Sequence, residues 1–511
     1  MEIALVTEGT YPHSFGGVSV WADQLVQGLP QHDFRIVALV STGREPVVWE
    51  LPKNVCALDL VPLWGHQAGA DRIPRRSRSW FRSLFKQLLD SLLDTTDEQA
   101  AQRSFEEALQ GLFHYAQLED LGAAMRSEEP VKLLCTAWQR LWPAQDSKRH
   151  IVSDSSHVDD PTVPGEPPTV RDALAAVELL EHALRPLSKP VVHSDVVHCV
   201  TNGLAVLVGL AAKWSFGTPL IVTEHGIYLR ERYLEMKRSP YRWPVKALNM
   251  AFSRRLCSLA YRAADLVAPG NQYNARWETR LGADPKNIQT VYNGVDPAAF
   301  PLAGAEPETP TLSWAGRIDP IKDLETLIRA FGMVRQEIPG AKLRIFGGTP
   351  KGGQAYAQKC KDLAADLGIA DVVAFEGRVD EIRDAYAAGN VVVLSSISEG
   401  FPYTLIEAMT SGRATVSTDV GGVSEAVADT GLVVPPKDPK SMAQACVSLL
   451  NDPEQRAVFG EAARKRALEL FTVDKAIGTF HDIYTGLRER ADTEVAKGTR
   501  IGRRRSEAEI A

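Results

Sequence analysis

Cysteine is scarce in this 511-residue chain. Cys56, Cys135, Cys199, Cys257, Cys360 and Cys446 are scattered, and no two stand in a Cys-x-x-Cys spacing. That excludes a zinc knuckle or dithiol redox motif and argues against a disulfide-stapled secreted scaffold. Long apolar runs are missing too, and none approaches the roughly 18 residues that a membrane span needs. The opening Met1 to Glu8 has neither a basic segment nor a long apolar one, so no secretory signal peptide is expected. Charge of neither sign dominates: 57 Lys+Arg stand against 64 Asp+Glu, a net charge of −7, which is no electrostatic footprint for nucleic acid. Gly-x-Ser-x-Gly and Gly-x-Gly-x-x-Gly are absent, which lowers the weight of acyl transfer and dinucleotide redox chemistry. No Asp-x-Asp stands at a strand end to hold a magnesium-bound diphosphate. The remaining composition, 44% hydrophobic, 7% aromatic and 24% charged, is ordinary for a globular protein of several domains at roughly 100–200 residues each. A cytoplasmic location is expected.

The fold class expected is α/β. Ile3 to Val6 is a short apolar run, Pro12 to Gly17 is turn-rich, and Val18 to Leu29 has helical apolar spacing. Phe34 to Val40 follows within about thirty residues, the rhythm of a βαβ unit on a parallel sheet. Gly16 and Gly17 fall where the first strand feeds the first helix. They either make the turn or let a ligand approach the backbone, since ligands of open α/β sheets bind at the carboxyl ends of strands.

From about 60 to 190 that rhythm is lost. Trp80, Phe81, Leu84, Phe85, Leu88, Leu89, Leu92 and Leu93 form one stripe of an amphipathic helix. Arg72, Arg75, Arg76, Arg78, Arg82 and Lys86 crowd its start and raise the case of a membrane-surface helix. Asp90, Asp94, Asp97 and Glu98 follow, which suits a core-packing helix of an inserted subdomain better. Ser153 to Thr169 reads as a mobile, polar, proline-rich loop. Strands resume at Val196 to Val200, Leu220 to Val222, Ala264 to Pro269 and one ending at Val291 to Asp296. A second α/β series begins at Thr311 to Ala315 and continues through Leu343 to Phe346, Val372 to Phe375, Val391 to Leu394 and Ala414 to Ser417. The expected domains are 1–300 with an insertion at 60–190, then 301–472, then a helix at 473–490 crossing back to the first domain, and a solvated, disordered tail at 491–511.

Two such halves in one chain define a cleft, and the loops after their strands carry the candidate chemistry. Gly316-Arg317-Ile318-Asp319-Pro320-Ile321-Lys322 follows the first strand of the second half. Arg317 and Lys322 either grip a diphosphate, as fork and point charge, or are solvated surface charges. Ser398-Glu399-Gly400-Phe401-Pro402-Tyr403-Thr404-Leu405-Ile406-Glu407 follows the strand at 391–394 and opens a helix. Gly400 lets the backbone approach a ligand, and the amides at the helix start suit an anion or sugar hydroxyls. Glu399 and Glu407, one in the loop and one two turns down the helix, can each accept bonds from hydroxyl groups. Paired carboxylates also invite a glycosidase reading, but this placement suits contact with two parts of one long ligand. His193, Asp195 and His198 stand close in sequence, and a loop leading into a strand explains them better than metal ligation.

Glu-x7-Glu within Ser-Glu-Gly-Phe-Pro, with Gly-Arg-x-x-x-x-Lys upstream, resembles the retaining GT-B glycosyltransferases of family four. Asn293-Gly294-Val295-Asp296 and Phe375-Glu376-Gly377-Arg378-Val379 belong to the same resemblance, which covers roughly 1–55 and 190–490. Thr223-Glu224-His225-Gly226-Ile227-Tyr228-Leu229-Arg230, the Thr7-Glu8-Gly9-Thr10-Tyr11-Pro12 opening and the insertion after residue 60 are similar to the PelF-type bacterial exopolysaccharide glycosyltransferases.

The resemblance implies two Rossmann-like domains facing across a cleft and a nucleoside diphosphate sugar as donor. By habit of the family that donor is UDP-glucose or UDP-N-acetylglucosamine. Arg317 and Lys322 would neutralise the donor diphosphate. Glu407 would hold the ribose and Glu399 a hydroxyl of the transferred sugar. The backbone at Gly400, Phe401, Pro402, Thr404 and Leu405 would lie along sugar and phosphates, with Arg378 in a neighbouring loop. Gly16 and Gly17 would let the N-terminal loop close over the phosphates. His225 matches the family's cleft histidine, although a lone histidine after a strand is more often structural. No metal and no separate cofactor are expected. The acceptor is a glycan or another hydroxyl compound, and peripheral association with a membrane polysaccharide synthase complex is a further expectation. The alternatives are a non-catalytic nucleotide-sugar-binding subunit and an epimerase on the same fold.

Overall fold

The computed structural model describes residues 1–65, 74–94, 96–149 and 166–510, without the side chains of 142–149 and 494–510. Arg72 and most of the proline-rich stretch at 153–169 lie outside the described residues. The chain divides into two units, one of 1–268, 277–289 and 482–511, the other of 269–276 and 290–481.

The first unit is built on β1 (Glu2–Glu8), β2 (Asp33–Val40), β3 (Val55–Pro62), β4 (Val196–Cys199), β5 (Leu220–Glu224) and β6 (Leu266–Pro269). They form one sheet in the order β3-β2-β1-β4-β5-β6. Pairing is parallel, with Ile3 opposite both Phe34 and Val196. The central strands are unbroken apolar runs because helices cover both faces, and β4 and β5 are buried at every position. β3 has no counterpart in the sequence reading. It is an edge strand whose burial alternates around Asp59, so it lacks the continuous apolar run that marked the others.

Between β3 and β4 stand the helices Arg75–Leu93, Glu98–Leu118, Leu121–Met125, Glu128–Arg149 and Val170–Leu184. Phe85, Leu88, Phe105, Leu109 and Leu112 are fully buried there, so the amphipathic stripe packs into a core. Asp97 caps Glu98–Leu118 by accepting from the amides of Gln99 and Ala100. Trp80, at the edge of the stripe, remains 37% exposed and packs on Tyr115.

The second unit carries β7 (Thr311–Ala315), β8 (Lys342–Phe346), β9 (Val373–Gly377), β10 (Val391–Leu394), β11 (Ala414–Thr418) and β12 (Leu432–Val434). Their order is β12-β11-β10-β7-β8-β9, again parallel. Chain direction across the sheet reverses between β7 and β10, the switch point where open α/β sheets bind ligands.

Two expectations are corrected. No strand ends at Val291 to Asp296, where Val295 forms a single bridge with Thr472. The Val295 amide donates to the Phe471 carbonyl at 2.9 Å and the Val473 amide to the Val295 carbonyl at 3.0 Å, so one crossing of two segments uses groups that a strand would need. The last helix spans Val473–Ile510 and does not give way to a tail at 491. Its continuation through Ala, Glu, Lys and Arg follows helix propensity, since each added residue costs little once a helix is nucleated.

Candidate active site of the second unit

The loops that leave β7 and β10 are stitched together by their backbones. The Ile397 amide donates to the Ile321 carbonyl at 2.9 Å, and the Ser395 hydroxyl donates to the Lys322 carbonyl at 2.7 Å. This brings Lys322 Nζ to 2.5 Å from Glu399 Oε1, with side chains 18% and 11% exposed. The Ser396 hydroxyl donates to the same carboxylate oxygen at 2.5 Å. The loop is held from below by Gly421, whose φ is +56° and where a Cβ would lie 1.8 Å from the Glu399 carbonyl oxygen. Only glycine fits that approach.

Glu407 lies one turn into the helix Tyr403–Thr410. It accepts a short hydrogen bond at Oε2 from the Tyr386 hydroxyl. Burial raises its pKa above the ordinary carboxylate value, and the Tyr386 bond partly opposes that shift. Glu399 and Glu407 have different partners: one is in a charged loop, the other in a buried pocket beside two tyrosines, Tyr386 and Tyr403.

The neighbouring residues divide by exposure. Arg317 is exposed after β7, and Arg378 is exposed after β9, two strands away. Phe401 is buried and stacks on Tyr292 at 5.5 Å and packs on Phe471 at 5.2 Å, so its ring is part of the core. The row of amides expected from Gly400 to Leu405 is also shorter than expected. Pro402 has no N–H, and that of Leu405 donates to the Pro402 carbonyl at 3.2 Å. Tyr403 and Thr404 stand in the first turn, where amides lack a partner further up the helix, and no side chain caps it.

In the first unit, His225 follows β5. Its ring lies 4.8 Å from that of Trp21, its Nε2 is buried without a hydrogen-bond partner, and burial lowers its pKa to about 4. The imidazole is therefore neutral at physiological pH. Beside it, His198 Nε2 lies 2.7 Å from the Thr223 hydroxyl and Nδ1 2.7 Å from the Tyr484 hydroxyl of the last helix. Gly16 is exposed in extended backbone, where a Cβ would meet nothing, so local geometry does not demand glycine there. Gly17 opens the helix Gly17–Gly28. Asp195 accepts from the Glu2 amide at 2.9 Å and pairs with Arg488. Among the described residues no group of three His, Cys, Asp or Glu is placed to hold a metal ion.

Glu8, Glu224 and Glu278 escaped the sequence reading as a group. Tyr261 donates a short bond to Glu224, whose pKa burial raises to about 7. Glu278 is fully buried with neither oxygen bonded. Tyr386 and Ser396 were also missed, because nothing local distinguishes a hydroxyl that meets its partner across the fold.

Two parallel six-stranded sheets in Rossmann-like order, with charged loops at the switch point of the second, define a chain of the GT-B class. The family described as "Domain of unknown function (DUF3492)" matches residues 1–286, and "Glycosyl transferases group 1" matches 301–466. The chain is 36% identical over 291 residues to D-inositol 3-phosphate glycosyltransferase 2 of Catenulispora acidiphila, covering 53% of this chain and 66% of that one. It is 30% identical to D-inositol 3-phosphate glycosyltransferase of Streptomyces scabiei, covering 57% and 68%. It thus spans about two thirds of the length of these curated relatives. In fold it is similar to sucrose-phosphate synthase from Thermosynechococcus elongatus, with TM-score 0.59, 19% identity and 95% and 98% coverage. It is also similar to Anabaena HepE in complex with UDP-glucose, with TM-score 0.56, 15% identity and 95% and 100% coverage. The chain belongs to the group 1 glycosyltransferases, with the DUF3492 domain as its first half. No helix among the described residues is long and apolar enough to cross a membrane.

Proposed function

We propose that the chain transfers a sugar from a nucleoside diphosphate sugar, UDP-glucose or UDP-N-acetylglucosamine, to a hydroxyl acceptor with retention of configuration. The observation that carries this reading is the Lys322–Glu399 pair at 2.5 Å, set at the switch point of the second sheet with Glu407 on the helix that follows. A bound diphosphate would compete for Lys322 Nζ, and the released Glu399 carboxylate would accept from a hydroxyl of the sugar. Arg317, Lys322 and the uncapped first turn at Tyr403 would offset the charge that grows on the diphosphate as the glycosidic bond breaks, so no metal is needed. Attack on the same face would follow, with the departing phosphate oxygen taking the acceptor proton. The roles given to His225, Gly16 and Gly17 belong to the first unit and rest on the family resemblance alone. So do the PelF-type role in exopolysaccharide synthesis and the association with a membrane synthase complex.

The relatives named D-inositol 3-phosphate glycosyltransferase favour a second acceptor reading, an inositol phosphate in place of a glycan. A panel of nucleotide sugars, each with no acceptor, with inositol 3-phosphate or with a hexose oligomer, tests both. Slow donor hydrolysis that speeds with one acceptor supports transfer and names the acceptor class. Thermal stabilisation by UDP-sugars without any turnover would overturn catalysis in favour of a binding subunit.

A further inference from the structure

The helical insertion of the first unit contains a groove that the donor site does not use. It encloses about 940 Å³ between the helices Glu128–Arg149 and Val170–Leu184, within the range of roughly 300–1,000 Å³ usual for ligand sites. One wall is apolar, formed by Val131, Cys135, Leu174 and Val177. Leu174 is 55% exposed and Val170, beside it, 62%. Adjacent apolar side chains left open to water on a groove mark an interaction surface, whereas isolated ones do not.

The far end of the groove is polar, with two guanidinium groups set against one carboxylate. Arg185 makes a fork with Glu181, Nη2 to Oε2 at 2.8 Å and Nε to both oxygens at 3.1 Å, and Arg126 Nη1 reaches the same carboxylate at 3.3 Å. Two guanidinium groups therefore share one carboxylate. Arg185 is 6% exposed, yet its Nη1 has no hydrogen-bond partner, nor has Nδ1 of the neighbouring His182. A buried donor left unpaired costs stability unless something accepts from it. Of the remaining charges, Lys132 pairs with Glu128 at the rim and Glu178 is exposed, so the lining as a whole is balanced and the demand for an acceptor is local to Arg185 Nη1. Charge-assisted bonds to guanidinium favour a carboxylate or phosphate.

We propose that this groove binds a single-chain amphiphile with an anionic head, its hydrocarbon chain along Val131, Leu174 and Val177 and its head at Arg126 and Arg185. The reading is independent of the donor site, since Lys322, Glu399 and Glu407 lie in the other unit and no groove residue is among those given a donor role. The test is calorimetry of the full chain with dodecyl phosphate below its micelle concentration, with inorganic phosphate and dodecyl maltoside as comparators. Dodecyl phosphate should bind saturably at one per chain, and the comparators about tenfold or more weaker, since each lacks one half of the recognition. Leu174→Glu and Arg126→Gln alter exposed or half-exposed positions, so both should keep the wild-type melting temperature while weakening dodecyl phosphate about tenfold. Absence of saturable binding, equal affinity for either comparator, or wild-type affinity in both variants would overturn the proposal.

Discussion

Lys322 and Glu399 lie 77 residues apart in sequence and 2.5 Å apart in space, in loops that leave two adjacent strands of one sheet. The Ile397 amide on the Ile321 carbonyl and the Ser395 hydroxyl on the Lys322 carbonyl tie the two loops together, so the backbone under both charges is placed before any ligand arrives and only the side-chain pair has to open. A site arranged in this way loses little to reorganisation when charge develops on a leaving group.

If the donor diphosphate takes Lys322 from Glu399, the two residues act as a unit. Lys322→Ala should cut kcat/KM for the donor by about 10²-fold, and Glu399→Gln should lower kcat more than it raises KM. The double variant should lose much less than the product of the two. A double-mutant cycle on donor turnover measures this, and strict additivity would rule the coupling out.

Glu407 should behave differently. Binding that is uniform between ground and transition states appears in KM, so Glu407→Gln should weaken UDP binding about tenfold by calorimetry and leave kcat nearly intact. Tyr386→Phe removes the hydroxyl that fixes Oε2 and should weaken UDP by about threefold or more, the scale of one hydrogen bond. Normal UDP binding by Glu407→Gln would remove it from the ribose.

Donor turnover should persist in excess chelator, because Arg317, Lys322 and a helix start supply the positive field. Complete loss in EDTA, restored by added magnesium, would place a metal in the site.

Stability should depend on pH through Glu278. Burial, and then the charge of Glu224, raise its pKa from 4.5 to about 9. The native state therefore binds the proton more tightly than the unfolded chain. Its contribution is fully present below about 4.5 and is lost as pH rises towards about 9. Urea midpoints should fall across that window, and Glu278→Gln should flatten the fall by about 1.4 kcal/mol or more, one pKa unit's worth. An unchanged profile in the variant would show that Glu278 is not the group responsible.

The last helix should be needed for the first unit. Ile483, Tyr484 and Leu487 are buried, and Tyr484 meets His198 on β4 at 2.7 Å. Tyr484→Phe should cost about 1 kcal/mol in urea unfolding. Truncation before Val473 should give insoluble protein, while removing 494–511 should change the midpoint little. Equal stability of the two truncations would refute the assignment.

Apolar runs and turn residues were enough to read two parallel sheets, because a strand buried on both faces must be apolar throughout and needs no distant information to be recognised. The Glu-x7-Glu spacing and the Gly-Arg-x-x-x-x-Lys loop were legible for a similar reason: loop, strand end and helix start are adjacent in sequence. Short edge strands, β3 with its alternating burial and three-residue β12, carry too little apolar signal to stand out from loops. Only the tertiary structure decided which polar side chains pair. Lys322 finds Glu399, Glu407 finds Tyr386 and His198 finds Tyr484 because strand order brings their loops or helices together, and the free energy of each contact depends on burial that no local pattern encodes. The same holds for the groove in the insertion, whose apolar wall reads in sequence as ordinary helix core until the fold leaves Leu174 in contact with water.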